Sequence, residues 1–489
     1  MARIAFLQPL LYEYPGVEAL AAVLRHDGHE VQAFIGRNPR RLAQRLGRGE
    51  IAAFSVMTGT HGWALATAAE IKRLGGNFVV MGGPHPTHSP GMLAAEQVDA
   101  ICRGEGEGAL VDLARCLDAG GDPAGIQNLW VRRRGEVVRG EVRPLIDRLD
   151  ALPAPDREIY YRASRLLRTN PHRVFMAGRG CPYACTFCHN GALRELYRGK
   201  GPYVRMRSPD ALLADIVEVR RRWGIGTIFF HDDTFVLDRH WLESFLPRYR
   251  DEVGLPFHCA ARADTLSEPT VRLLREAGCR SVSFAIESGD EALRNRVLCK
   301  GVSNAQIVAG AALLKRHGIG LTTFNMLGLP GESVEQAWGT ARLNGAIGAD
   351  FPRCSFLTPY PGTRLARDLA AGGSDGNDGE TTIGGWSQQS GPAVSVPDLR
   401  RLRNVHAFFQ TAVLFPRLLP LLRRLANLPP NPLFRAWWAI VYFFVLVRGE
   451  GRNPLRTLIM GLYSSNPGAA GVSAGRKLAP PTPQRPAGL

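Results

Sequence analysis

Apolar residues gather along this chain in short runs separated by longer amphipathic stretches, and the alternation occurs twice. In the first round, runs at 3–8, 30–35, 51–57, 77–81 and 98–102 read as strands, with helical patterns at 16–26, 39–46 and 62–74 among them. Strands alternating with helices predict a parallel sheet covered on both faces. Such sheets bind ligands at the carboxyl ends of their strands. Here those ends carry Met57-Thr-Gly-Thr60, Gly82-Gly-Pro-His85 and Gly104-Glu-Gly-Glu107, where glycine lets backbone approach a large ligand. A small hairpin at 128–133 and 136–139 and a proline-punctuated connector at 149–156 follow.

The second round has strand candidates at 174–177, 227–230, 256–260, 281–286, 321–326 and 353–357. Ser208-Pro209 opens one intervening helix, and Ser267 caps another that stops at Gly278. Six strand–helix units predict an open barrel whose working residues sit at the strands' carboxyl ends. Arg262, Glu287, Ser288 and Asn325 occupy such ends, and Asp232 and Asp233 read as a helix-capping pair. Beyond 372 a Gly/Ser/Asn/Asp-rich linker precedes an arginine-rich segment, 400–456, whose acid is Glu450 and whose apolar core is 436–447. That core falls short of the roughly 20 residues that span a bilayer. It suits a buried helix, or one lying at an interface with Trp and Tyr at headgroup level.

Composition narrows this picture modestly. The 489 residues are too many for one ordinary core and indicate two or three domains. A net charge of +16 raises nucleic acid, membrane surface or acidic substrate as partners, although arginine spread over ordinary helices also makes a solvated basic surface. The N-terminus has no extended apolar signal region, and nine scattered or clustered cysteines fit a reducing, cytoplasmic setting.

Three of those cysteines carry the chemistry: Gly178-Arg-Gly-Cys181-Pro-Tyr-Ala-Cys185-Thr-Phe-Cys188-His-Asn190. Three thiolates on one loop leave one iron of a 4Fe–4S cube without a protein ligand, open to a substrate or cofactor. A zinc knuckle with His189 as fourth ligand competes, but adjacent Cys188 and His189 converge poorly on one tetrahedral ion.

The run resembles the cluster loop of radical S-adenosylmethionine (SAM) enzymes, and the preceding domain resembles the cobalamin-binding domain of one branch of that family. The resemblance implies an α/β fold: a Rossmann-like cobalamin-binding domain over 1–140, a linker at 141–170 and a partial (β/α)6 barrel at 171–371. A loop at 372–399, a mostly helical basic segment at 400–465 and a disordered tail at 466–489 complete the expectation. It further implies a 4Fe–4S cluster on Cys181, Cys185 and Cys188, with SAM contacted by Phe187, Arg262, Glu287, Ser288 and Asn325. Cobalamin would lie against Thr58, Gly59, Thr60, Gly82, Gly83, His85, Gly104 and Glu105, with no histidine ligand from the 9–15 loop. No catalytic residue is assigned.

The implied function is methyl transfer to an unactivated carbon or phosphorus through a 5′-deoxyadenosyl radical and methylcobalamin. The alternatives are a cyclase or rearrangement enzyme of the same branch and, more distantly, a tRNA-modifying protein. Expected partners are a small or lipid-derived substrate, a flavodoxin- or ferredoxin-type electron donor and peripheral contact with the inner membrane face, but not nucleic acid.

Overall fold

The computed structural model describes residues 1–371 and 398–449, with 454, 457 and 458. The expected linker, apart from residues 398 and 399, and the expected tail at 466–489 lie outside the described residues. Five parallel strands, β1 (Arg3–Gln8), β2 (Glu30–Ile35), β3 (Ile51–Ser55), β4 (Val79–Gly82) and β5 (Ala100–Cys102), pair in the order β2-β1-β3-β4-β5. Their runs are apolar throughout because helices cover both faces. Ile4, Phe6 and Val80 face one core, and Leu7, Phe54 and Met81 the other. The hairpin, β6 (Leu129–Arg133) and β7 (Glu136–Arg139), pairs antiparallel with β5 and extends the sheet to seven strands.

The second domain begins with β8 (His172–Phe175) and a two-strand ribbon, β9 (Gly178–Arg179) with β10 (Arg205–Met206). Then come β11 (Thr227–Phe230), β12 (Phe257–Ala261), β13 (Cys279–Glu287), β14 (Gly320–Leu327) and β15 (Phe351–Phe356). β15-β14-β13-β12-β11-β8 form a parallel, open half-barrel. Ser208 and Ser267 cap their helices as the sequence indicates, accepting from Ala211 N and Thr270 N. Phe175, Phe230, Phe257, Phe284 and Leu327 are buried under the helices. The concave face stays open: Phe324, on the second-outermost strand, is 40% exposed.

The C-terminal segment supplies one helix packed into the barrel and a second, half-exposed helix that contains the apolar run 436–447. Leu399–Leu414 belongs to the barrel, adding Leu402, Val405, Phe408 and Phe409 to its core. Its His406 Nε2 lies 3.1 Å from the Cys354 carbonyl oxygen, and Gln410 Nε2 donates to the Pro352 carbonyl at 3.1 Å. Both carbonyls sit on β15, an edge strand with unpaired backbone groups. Burial pushes the His406 imidazole down to about 4, leaving it neutral, able to donate from Nε2. The helix Pro432–Gly449 buries Trp438, Val445 and Leu446 but leaves Leu433, Trp437, Ile440 and Phe444 exposed. Among the described residues, no helix is long and apolar enough to cross a membrane.

The connector expected at 141–170 carries two short helices, Glu158–Ala163 and Arg165–Arg168, and keys the domains together. Tyr160 donates from its hydroxyl to Gln8 Oε1 at 2.7 Å. Arg157, over the Phe175 ring, grips Asp215 at 2.8 Å while Glu18 stands 3.9 Å away. Glu13 lies 3.5 Å from Arg173, with neither carboxylate oxygen hydrogen bonded. Burial outweighs these arginines and raises both carboxyls, Glu13 to about 7 and Glu18 to about 8, from an ordinary 4.5. The folded chain therefore holds protons that the unfolded chain releases near 4.5. The stability they confer is complete below that pH and is lost as pH rises through about 7 to 8. The urea midpoint should fall across this window. Glu13→Gln and Glu18→Gln should each flatten the decline, and an unchanged slope in both variants would contradict it.

Candidate active site between two strand-end edges

The cluster loop leaves the half-barrel at the carboxyl end of β8, and several contacts fix its path. Buried Asp232, expected to cap a helix, instead accepts from Ala177 N at 3.0 Å and Gly178 N at 2.7 Å. Burial raises its carboxyl to about 6, against these backbone donors. Gly180 has φ +89°, and a Cβ there would overlap the Tyr203 carbonyl, so glycine is required. Thr186 donates from Oγ1 to the Val297 carbonyl at 2.7 Å and from N to the Leu298 carbonyl at 3.0 Å. Leu365 N donates to the Thr186 carbonyl at 2.9 Å.

Cys181, Cys185 and Cys188 are partly buried free thiols, and burial pushes the first and last up. Donors point at two sulfurs: Asn190 Nδ2 is 3.7 Å from Cys188 Sγ, and Arg262 Nη1 is 3.9 Å from Cys185 Sγ. Hydrogen bonds and positive charge at sulfur stabilise thiolates and tune a cluster's potential, so this donor set fits a thiolate-bound cube. Among the described residues, no three His, Cys, Asp or Glu side chains gather as ligands of a single ion. A cube binds its three thiolates on three separate irons, which sets them apart.

The strand ends beside this loop carry the SAM candidates, in differing states. Arg262 lies over the Tyr183 ring at 3.6 Å and gives its fork to Asp264 at 3.0 and 2.8 Å, so the carboxylate it binds here is the chain's own. Glu287 ends β13 at an irregular register with φ +68°, a conformation that costs a non-glycine residue energy and concentrates at functional sites. Its carboxyl is raised by burial against Lys300, whose Nζ is 3.3 Å away. Ser288 is fully buried and Phe187 packs against the Leu293–Leu298–Leu329–Leu357–Leu365 cluster. Asn325 faces the helix-covered side. Its amide is engaged by Thr323, Asn344 and the Arg353 carbonyl, while its neighbours Phe324 and Met326 take the concave face.

The strand ends of the first domain face the cluster loop. Thr58 Oγ1 is 3.1 Å from His85 Nδ1, and the His85 ring stacks on His61 at 4.3 Å. His88, one turn on, stacks on His189 at 5.1 Å, and His189 on Tyr360 at 5.0 Å. Burial lowers His85 and His88 to about 4, so both rings are neutral. Gly59 and Gly83 take φ +95° and +97°, which lets Thr58, Thr60 and Gly82 turn sharply at the strand ends. These glycine loops and neutral rings fit a large flat ligand above the sheet. Glu105 is turned elsewhere. It pairs with Arg179 at 3.0 Å and Arg205 at 2.8 Å in the barrel, and a Cβ on Gly104 would overlap the Tyr197 hydroxyl. Sequence reasoning missed this joint because no local pattern marks a pair separated by 100 residues.

Comparison with known proteins agrees with this arrangement. A family model for the B12 binding domain matches residues 10–114, and the Radical SAM superfamily model matches 176–343. The uncharacterized methyltransferase PH0819 of Pyrococcus horikoshii is 30% identical over 295 residues, covering 59% of this chain and 62% of the relative. The anaerobic magnesium-protoporphyrin IX monomethyl ester cyclase of Rubrivivax gelatinosus is 26% identical over 301 residues, covering 59% and 53%. The chain thus spans less than two thirds of either relative. The radical SAM methyltransferase TsrM from Kitasatospora setae, solved with cobalamin and a 4Fe–4S cluster, superposes with a TM-score of 0.62 at 19% identity, covering 76% of this chain and 75% of TsrM, a likeness of fold. The cofactors are a 4Fe–4S cluster, SAM and cobalamin. This chain thus carries a B12 binding domain and a Radical SAM superfamily domain, and the strand ends of the first meet the three-cysteine loop of the second.

Proposed function

We propose that this enzyme is a methyltransferase acting on an unactivated carbon or phosphorus centre of a small or lipid-derived substrate. One observation carries the reading: the cluster loop and the glycine-rich strand ends of the B12 domain meet ring to ring, His88 on His189. A carbon without acidity cannot attack SAM, so hydrogen must be removed and the methyl group delivered at one place. When bound, the cluster and cobalamin supply radical cleavage of SAM and a carrier for its methyl group. Phe187, Arg262, Glu287 and Ser288 line the SAM side, and a flavodoxin- or ferredoxin-type protein supplies electrons. Cyclisation without methyl transfer is the second reading, supported by the similarity to the Rubrivivax cyclase.

Replacing Cys181, Cys185 and Cys188 together by Ala should remove the cluster's absorbance and SAM cleavage. About four irons retained in that variant would refute the assignment. With deuterated-methyl SAM, a methyltransferase should form S-adenosylhomocysteine and 5′-deoxyadenosine in comparable amounts and label the product. Abundant 5′-deoxyadenosine without matching S-adenosylhomocysteine would select the cyclase reading.

We also propose that the helix Pro432–Gly449 rests on an anionic membrane surface. Leu433, Trp437, Ile440 and Phe444 recur at helical spacing on one face, between 45% and 78% exposed. Residues 399–449 contain no acid, and arginines flank the stripe in sequence. Each basic residue near such a surface contributes about 1 kcal/mol. Full-length protein should float with anionic vesicles at low salt, and Ile440→Glu/Phe444→Glu should abolish flotation. Equal flotation of both proteins, or concentration-dependent dimers lost in the variant, would reject the membrane.

A further inference from the structure

Four charged side chains join the two halves of the site, and no ligand role accounts for them. Glu105 and Glu107 follow β5 in the B12 domain. Arg179 and Arg205 face one another across the β9–β10 ribbon, and Arg179 stands two residues before Cys181. Glu105 Oε1 accepts from Arg179 at 3.0 Å and Arg205 at 2.8 Å, its Oε2 accepts from Ile146 N at 3.1 Å, and Glu107 accepts from Arg179 at 2.6 Å. Arg205 and Glu107 are nearly inaccessible. Charge-assisted bonds out of water are strong and directional, and leaving one partner alone is costly.

The joint continues into the cobalamin side without a gap. Thr87 follows His85 by two residues, donates from Oγ1 to the Gly83 carbonyl at 2.8 Å and accepts there from Gly104 N at 3.1 Å. Arg103 Nε donates to the Thr87 carbonyl at 3.1 Å. Glu105 N donates to the Tyr197 hydroxyl at 2.6 Å, and its carbonyl accepts from Asn128 Nδ2 at 2.6 Å. A path of two hydrogen bonds, the Gly104–Glu105 peptide link and the Glu105–Arg179 pair thus runs from Gly83 to the strand that enters the cluster loop. A ligand settling on residues 82–88 would restrain that strand through it.

We propose that Glu105, assisted by Glu107, is a positioning residue that couples cobalamin occupancy to the order of the cluster loop. This rests on the cobalamin and cluster assignments. Linkage makes the coupling reciprocal, so an ordered cluster loop also favours cobalamin.

Hydrogen exchange on the full chain, anaerobically reconstituted with its cluster and measured with and without hydroxocobalamin, tests this. In the wild type, cobalamin should slow exchange both at residues 82–87 and at 178–188, the latter about tenfold, the scale set by one charge-assisted bond. In Glu105→Gln the slowing at 82–87 should persist while that at 178–188 disappears, a separation that general destabilisation would not give. If Glu105→Gln does not fold, Glu107→Gln, which keeps the Arg205 pair, should lose about half of the cluster-loop effect on a logarithmic scale. Cobalamin-induced slowing at 178–188 that survives in the variant tested, or is missing in the wild type, overturns the proposal. Absence of slowing at both segments in the wild type would remove the cobalamin assignment with it.

Discussion

Arg157 lies where the two domains and their connector meet, and its guanidinium serves all three. It reaches from the connector to Asp215 on a barrel helix, rests on Phe175 of β8 and faces Glu18 on the first helix of the B12 domain. With so little water there, the guanidinium charge is answered by Asp215, itself held by Arg207 at 2.9 Å. Removing one member of such a set typically costs about 3–5 kcal/mol, since the partner is left charged and dry. The attraction is directional, so it fixes how the sheets are oriented as well as how tightly they associate. Each sheet must present its carboxyl edge to the other, and the cluster loop faces the glycine turns only in that orientation.

Within this frame the site is assembled from parts with different mechanical character. The cluster loop is over-determined: Asp232 holds its entry, Thr186 its middle, and the close approach of Gly180 to Tyr203 its bend. The B12 strand ends are tight glycine turns carrying neutral imidazoles. On the concave barrel face Phe324 is exposed, while Met326 packs against the Leu293–Leu298–Leu329–Leu357–Leu365 cluster. Supports of this kind hold bound groups in a fixed geometry.

Much of this was legible in the sequence, because strand and helix periods are local properties and the thiol spacing is local chemistry. All eleven parallel strands of the two main sheets fall at expected runs, with ends displaced by a few residues. The orientation of Asn325 was not legible: Leu321 and Leu327 share its parity, but Phe324 and Met326 make the opposite parity equally apolar, so the pattern does not choose the buried side. Other features depend on contacts between distant residues and leave no local trace. Glu105 reads as a strand-end ligand until Arg179 and Arg205 are seen beside it. Asp232 reads as a cap until Ala177 and Gly178 turn their amides to it. Many of the arginines are held in ion pairs such as these, which no local pattern in the sequence marks.

The two side chains that reach β15 from the helix Leu399–Leu414 bear on where the barrel is complete as a folding unit. An open half-barrel has a raw hydrogen-bonding margin, and a raw margin recruits whatever strand drifts past. His406 and Gln410 occupy that margin with donors that cannot propagate a ladder, while Leu402, Val405 and Phe409 seal the layer behind it. A boundary drawn at residue 371, where the six strand–helix units are complete, would cut through a wall of the barrel and leave its last strand adhesive. The segment after 398 therefore acts as selvedge to the sheet, and sequence divergence there is bounded by the need to keep that edge finished.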